Sequence, residues 1–81
     1  MTKAELTRII ATHHDVDPAT ALKLINSFLR LIVSTTAAGV PVQLHGFGTF
    51  TLATTARPVR GHLHGRVPDF RPSKAYRQRV R

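Results

Sequence analysis

An 81-residue chain without cysteine has room for one domain and excludes both a disulfide framework and a thiolate metal site. A monomer of this size buries only about 60% of its unfolded surface, so an unstapled chain is expected to gain stability by oligomerising. Twelve Lys and Arg against four acids give a formal net charge of +8, which points to a polyanionic partner, and no apolar run approaches the ~20 residues of a membrane span.

The chain opens on Thr2-Lys3-Ala4-Glu5, a T-x-x-E capping box that starts a helix at once. It leaves no basic start and apolar middle of a signal peptide, so a soluble, cytoplasmic protein is expected. Leu6, Ile9, Ile10 and His13 fall at helical spacing and form one stripe. The helix should stop near His14, where Asp15-Val16-Asp17-Pro18 makes a turn. Asp17 is placed to cap the second helix and Pro18 to begin it.

The second helix is the longest element, about Pro18 to Ala38. Leu22, Leu24, Ile25, Phe28, Leu29, Leu31, Ile32 and Val33 cover an arc of roughly 200°, where a surface helix needs only about 100° to reach its own core. The surplus apolar width calls for a second partner, and in so short a chain that partner is another copy packed about a two-fold axis. Gly39 ends the helix.

Val40, Val42 and Leu44 alternate with polar positions as a half-buried strand. Gly46-Phe47-Gly48 reads as a tight turn whose two glycines permit positive φ. Phe50 and Leu52 alternate with Thr49 and Thr51 on the return strand. Ala53 to His64 has only Val59 and Leu63 as large apolar residues, so it is either a projecting hairpin or a disordered loop. Val67 to Phe70 reads as a third strand. Pro72-Ser73 starts a last helix, with Ala75, Tyr76 and Val80 on its packing side.

Charge is concentrated in the last third. Arg57, Arg60, Arg66, Arg71, Lys74, Arg77, Arg79 and Arg81 face Asp69 alone in residues 57–81, whereas residues 1–56 are near neutral. Arg dominates this set, and its planar fork of donors suits phosphate oxygens and groove edges. No paired carboxylates, nucleophile–base arrangement or phosphate-cradling loop is visible, so no enzyme is expected. His62 and His64 share a strand face but lack further ligands, so no metal or other cofactor is expected. Protonation of those two histidines near phosphate would make affinity rise modestly as pH falls below ~6.5.

The stretches Met1 to Leu6, Val42 to Phe50 and Val67 to Ala75 resemble the three signature segments of the HU and integration-host-factor family of bacterial histone-like DNA-binding proteins. The resemblance covers nearly the whole chain and implies an α+β fold in an intertwined two-fold dimer. Two N-terminal helices (1–38) would form the dimerisation half under a three-stranded antiparallel β-saddle with a β-ribbon arm (40–70) and a C-terminal helix (72–81). It implies architectural, largely non-sequence-specific binding of double-stranded DNA through the minor groove and phosphates, in a nucleoid-associated protein that bends or compacts DNA. The dimer would be a homodimer, or a heterodimer with a paralogue, and neither a membrane nor a small-molecule substrate is implied.

The arm is short for that family: only Thr51 to Arg66 separate the second and third signature segments, with the turn expected near Pro58 to Gly61. Four or five residues missing from each leg shorten it by about 15 Å at ~3.3 Å per residue. The resemblance matches Pro58 to the family's arm-tip wedge, a position equally served by a plain turn proline. A shorter arm wraps less DNA to offset unstacking, so weaker bending and a smaller site are expected. Candidate DNA-binding residues are Arg57, Pro58, Arg60 and Arg66 on the arm, Arg71, Lys74 and Arg77 on the body, and Lys3. Gln43, Thr49 and Thr51 should line the saddle, while Phe28, Phe47, Phe50, Phe70 and Tyr76 serve packing. The alternative from the same residues is an HU-like dimeric interaction module that binds a protein, RNA or another polyanion with its shortened basic arms.

Overall fold

The computed structural model describes residues 1–54 and 66–80. The elements run α1 (Lys3–His14), α2 (Pro18–Ala37), β1 (Val42–Leu44), β2 (Gly48–Thr54), β3 (Arg66–Pro72) and α3 (Lys74–Arg79). They fall into two compact units, Met1–Leu31 and Ile32–Arg81. The arm turn, with Arg57, Pro58, Arg60, His62 and His64, lies outside the described residues, as does Arg81.

In the first unit, the Thr2 hydroxyl accepts from the Glu5 backbone N–H at 3.2 Å and caps α1. The return half of the expected box goes to that same hydroxyl, which donates to Glu5 Oε1 at 3.5 Å. At the other end, Asp15 N–H donates to the Thr12 carbonyl and Val16 N–H to the Ala11 carbonyl, a Schellman pattern with Asp15 left-handed at φ 54°. A side chain in this region costs ~1–2 kcal/mol, offset in glycine by ~0.5–1 kcal/mol of extra chain entropy. Asp15→Gly is therefore expected to raise stability by about 0.5 kcal/mol, seen as a melting point about 2–4 °C higher. A lower melting point would mean that the aspartate side chain contributes more than its backbone conformation costs.

Asp17 Oδ2 accepts from Ala19 N–H at 3.1 Å, so Pro18 takes the first helical position, where no N–H is needed. The two helices are joined by Lys3 Nζ donating to Asn26 Oδ1 at 2.9 Å. Only small side chains are buried here: Thr7, Ala11 and Ala21. Leu24, Phe28 and Leu31, one stripe of α2, are 65%, 49% and 64% exposed. Leu6, Ile9 and Ile10 of α1 are exposed too, so among the described residues the apolar stripes of the two helices stay largely uncovered. No large side chain among the described residues is fully buried.

In the second unit, α2 ends one residue earlier than expected. Gly39 N–H donates to the Thr36 carbonyl and Val40 N–H to the Thr35 carbonyl, with Gly39 at φ 87°. This is a second Schellman ending. Val40 is exposed and outside β1, because Pro41 separates it from the strand. The sheet is antiparallel in the order β1-β2-β3. Its register aligns Val42, Phe50 and Phe70 across the three strands. β3 extends beyond the expected Val67 to Phe70 at both ends. It takes in Pro68 and Pro72, tolerated because it is an edge strand.

Phe47, Phe50, Phe70 and Tyr76 form one aromatic cluster. Phe50–Phe70 centroids lie 4.7 Å apart, Phe47–Phe70 5.1 Å and Phe47–Tyr76 5.2 Å. Tyr76 supplies the half-buried side of α3, whereas Ala75 and Val80, expected to pack with it, are exposed.

Candidate nucleic-acid interface

Strand alternation sorts the sheet into two chemically distinct faces. On one, the register aligns Val42 with Phe50 and Phe70, and Leu52 with Pro68. On the other, Gln43, Thr49 and Arg71 form a row across all three strands, followed by Thr51 opposite Asp69. Gln43, Thr49 and Thr51 thus share a face with Arg71, as the alternation of their strands required.

The β1–β2 turn and the start of α3 are bonded to each other. Phe47 N–H donates to the Leu44 carbonyl at 3.0 Å, and Ser73 N–H donates to the Phe47 carbonyl at 2.9 Å. The Ser73 hydroxyl in turn accepts from Tyr76 N–H at 3.0 Å and caps α3. Gly48 sits beneath this junction. A β-carbon there would lie 2.6 Å from the Arg71 carbonyl oxygen and from the Phe70 ring. Gly46 is the residue of the pair that needs positive φ, at 77°; Gly48 is needed for clearance. The expectation that both glycines serve positive φ is corrected on that point.

The junction leaves an open groove of about 450 Å³ beside the polar row. Arg71 from β3, Lys74 from α3 and His45 from the turn all line it, with Gln43, Thr49 and Ser73 as hydrogen-bonding neighbours. Among the described residues no carboxylate lines it. Asp69 lies outside, with Oδ2 3.3 Å from Arg71 Nε; the two side chains are 34% and 79% exposed. An exposed pair of this kind is worth ~0.2–1 kcal/mol, so Asp69 competes weakly with an external anion for Arg71. Asp69→Asn is expected to tighten duplex binding by about 2–5-fold per copy at low salt, with the gain shrinking as salt rises. Fluorescence anisotropy at two salt concentrations checks this; equal or weaker binding would count against Arg71 as a contact.

The sequence-derived candidates separate as follows. Arg71 and Lys74 are brought together at the groove. Arg77 is exposed on α3 but does not line it. Lys3 belongs to the first unit, where its amine is held by Asn26. Arg66 begins β3 opposite Thr54, on the face of Phe50 and Phe70 and away from Arg71. Arg57, Pro58 and Arg60 are not among the described residues. His45 was missed, because long-range pairing, Gly48 with Pro72 and Ser73 N–H with the Phe47 carbonyl, brings α3 to its side; its place directly before Gly46 was the available signal. No group of three or more metal-binding side chains occurs among the described residues.

Comparison with known proteins agrees with this geometry. The model of a family described as bacterial DNA-binding protein matches residues 1–62. Integration host factor subunit beta from Citrobacter koseri is 36% identical over 90 aligned residues, covering 99% of this chain and 96% of that protein. The Salmonella paratyphi B subunit gives the same identity and coverage. Among solved structures, HU from Thermotoga maritima superposes with a TM-score of 0.77 at 27% identity over the full length of both chains. An Anabaena HU–DNA cocrystal structure gives 0.80 at 25% identity, covering 99% of this chain and 97% of that one.

Proposed function

The chain belongs to the bacterial DNA-binding protein family, the group of HU and integration host factor, and from that premise we propose that it is an architectural protein that binds double-stranded DNA as a two-fold dimer. The observation that carries the reading is the groove where Arg71 and Lys74 converge beside the Gln43–Thr49–Arg71 row, with no carboxylate among the described residues that line it. Two cations and several hydroxyl and amide groups over an extended sheet suit a run of phosphates more than a small ligand. The Anabaena relative was crystallised with DNA, which gives the same ligand class for this fold.

Arg71 and Lys74 would hold the phosphate backbone against the body, with Arg77 and Lys3 as outlying cations. Arg57, Pro58 and Arg60 would meet the minor groove from the arm, where width and negative potential are read more than base identity. Sequence preference is then low, since the minor groove separates A·T from G·C and little else. The dimer supplies a cover for the exposed α2 stripe of Leu24, Phe28 and Leu31. Residence in the cytoplasm on the nucleoid is part of the proposal. Among the described residues no helix is long and apolar enough to cross a membrane.

Competition binding tests the ligand class. Duplex DNA, duplex RNA and heparin should be titrated against a labelled short duplex at two salt concentrations. Duplex DNA is expected to compete best, because A-form RNA presents a wide, shallow minor groove and a deep, narrow major one. Heparin competing equally would reduce the protein to a polyanion binder, and RNA competing better would replace the DNA reading.

A further inference from the structure

The carboxyl end of α2 lacks a cation of its own. Its last turn carries no basic residue, although 20 residues of aligned peptide dipoles end there. The two Schellman bonds satisfy the Thr35 and Thr36 carbonyls but leave the partial negative charge of the helix end in place. Arg66 reaches this end from the sheet. One of its guanidinium nitrogens, Nη2, lies 3.6 Å from where a β-carbon on Gly39 would stand.

The strand register agrees independently. Arg66 pairs with Thr54 and shares its face with Pro68 and Phe70, whereas Val67, Asp69 and Arg71 alternate to the polar face. Both its strand position and its side-chain position therefore turn Arg66 away from the row that carries Arg71. Arg66 is also the first described residue after the arm, at the last pair of the β2–β3 ladder.

The geometry points to Arg66 as a positioning residue, an anchor that ties the root of the arm to the carboxyl end of α2 and adds no phosphate contact. This rests on the DNA-binding reading and refines it. The arm can bend a duplex only if its root is fixed, so Arg66 acts on DNA shape. Arg71 acts on the number of phosphates neutralised.

Three variants of the full chain separate these roles: Arg66→Gln, Arg66→Lys and Arg71→Gln. Each is measured for thermal midpoint, for the slope of log K against log[salt] on a short duplex, and for duplex end-to-end distance by FRET. Arg66→Gln is expected to lower the midpoint by about 2–6 °C, as loss of a cation at a helix end does. It should also lose most of the bending signal while keeping the wild-type salt slope. Arg66→Lys restores the charge and should recover part of both the midpoint and the bend. Arg71→Gln should lower the midpoint by no more than loss of its exposed pair with Asp69 accounts for, and reduce the slope by about 2 for the dimer, at ~0.9 per phosphate contact.

A slope reduction in Arg66→Gln equal to that in Arg71→Gln would overturn the inference, and so would an unchanged midpoint. If Arg66→Gln does not fold, Arg66→Lys decides: a midpoint and a bend both below wild type support the anchor, because the ammonium lacks the planar fork, and wild-type values of both refute it. A wild-type protein with no salt-dependent duplex binding would instead end the DNA reading, and the midpoint of Arg66→Gln would still report on the anchor.

Discussion

Phe28→Asp is expected to abolish the folded protein at micromolar concentration, or to leave a partly unfolded monomer. In the single chain this ring is 49% exposed and part of a stripe with Leu24 and Leu31. A substitution at such a surface position normally changes stability by no more than ~0.5 kcal/mol. If two copies bury their stripes against each other, the same change removes a buried aromatic from each copy, at about 3–5 kcal/mol apiece. It also inserts a carboxylate that cannot be solvated. The two accounts thus differ by roughly tenfold in energy. Sedimentation equilibrium and thermal melts at two protein concentrations distinguish them. The wild-type midpoint should rise with concentration, as mass action requires of an obligate dimer. A Phe28→Asp midpoint close to wild type and independent of concentration would show that the stripe has no partner.

The second large effect is expected at Gly48. A β-carbon there would sit 2.6 Å from the Arg71 carbonyl oxygen and 2.6 Å and 2.7 Å from two Phe70 ring atoms. Backbone and a ring packed against Phe47, Phe50 and Tyr76 cannot both yield cheaply. Overpacking of this kind typically costs 1–3 kcal/mol, and Gly48→Ala is expected at about 3 kcal/mol because one clashing atom is main chain. The strain falls on β3 at Phe70 and Arg71, so DNA affinity should drop with stability. Gly46→Ala offers the contrast: nothing lies within 4 Å of its added methyl, and its cost comes from φ alone, about 1–2 kcal/mol. Urea melts of the two variants check the order. Gly48→Ala as stable as wild type would mean that β3 can shift without loss.

The local endings of the chain were legible because each rests on chemistry within a few residues. Thr2 and Asp17 cap their helices as read, and Gly39 takes the left-handed position that ends α2. The alternation of Val42, Leu44, Phe50 and Leu52 gave the faces of β1 and β2 correctly, since a strand has a period of two. The strand limits were less legible. Pro72 read as the start of the last helix, whereas it closes β3, and the position of β3 at the sheet edge makes both Pro68 and Pro72 tolerable there.

The second role of glycine was hidden for a similar reason. A turn sequence announces positive φ at Gly46, whereas the need for an absent side chain at Gly48 arises from Phe70, far along the chain. The same long-range pairing hid the site. Arg71 and Lys74 were found by charge, but the groove they share with His45 depends on the bond from Ser73 to Phe47. Charge alone also placed Arg66 with the other arm cations, while the register sets it on the opposite face from Arg71. Composition tells how many cations a tail has, and register tells which way each one points.

The salt dependence of duplex binding by the intact dimer tests the central claim most directly. Affinity for a short duplex should be measured by anisotropy from about 0.05 to 0.2 M salt, with the mass of the bound and free species determined alongside. A dimer that neutralises ~6–10 phosphates should give a log–log slope between about −5 and −9. A slope near zero, or a species with the mass of one chain that takes up no duplex at the lowest salt, would contradict the account.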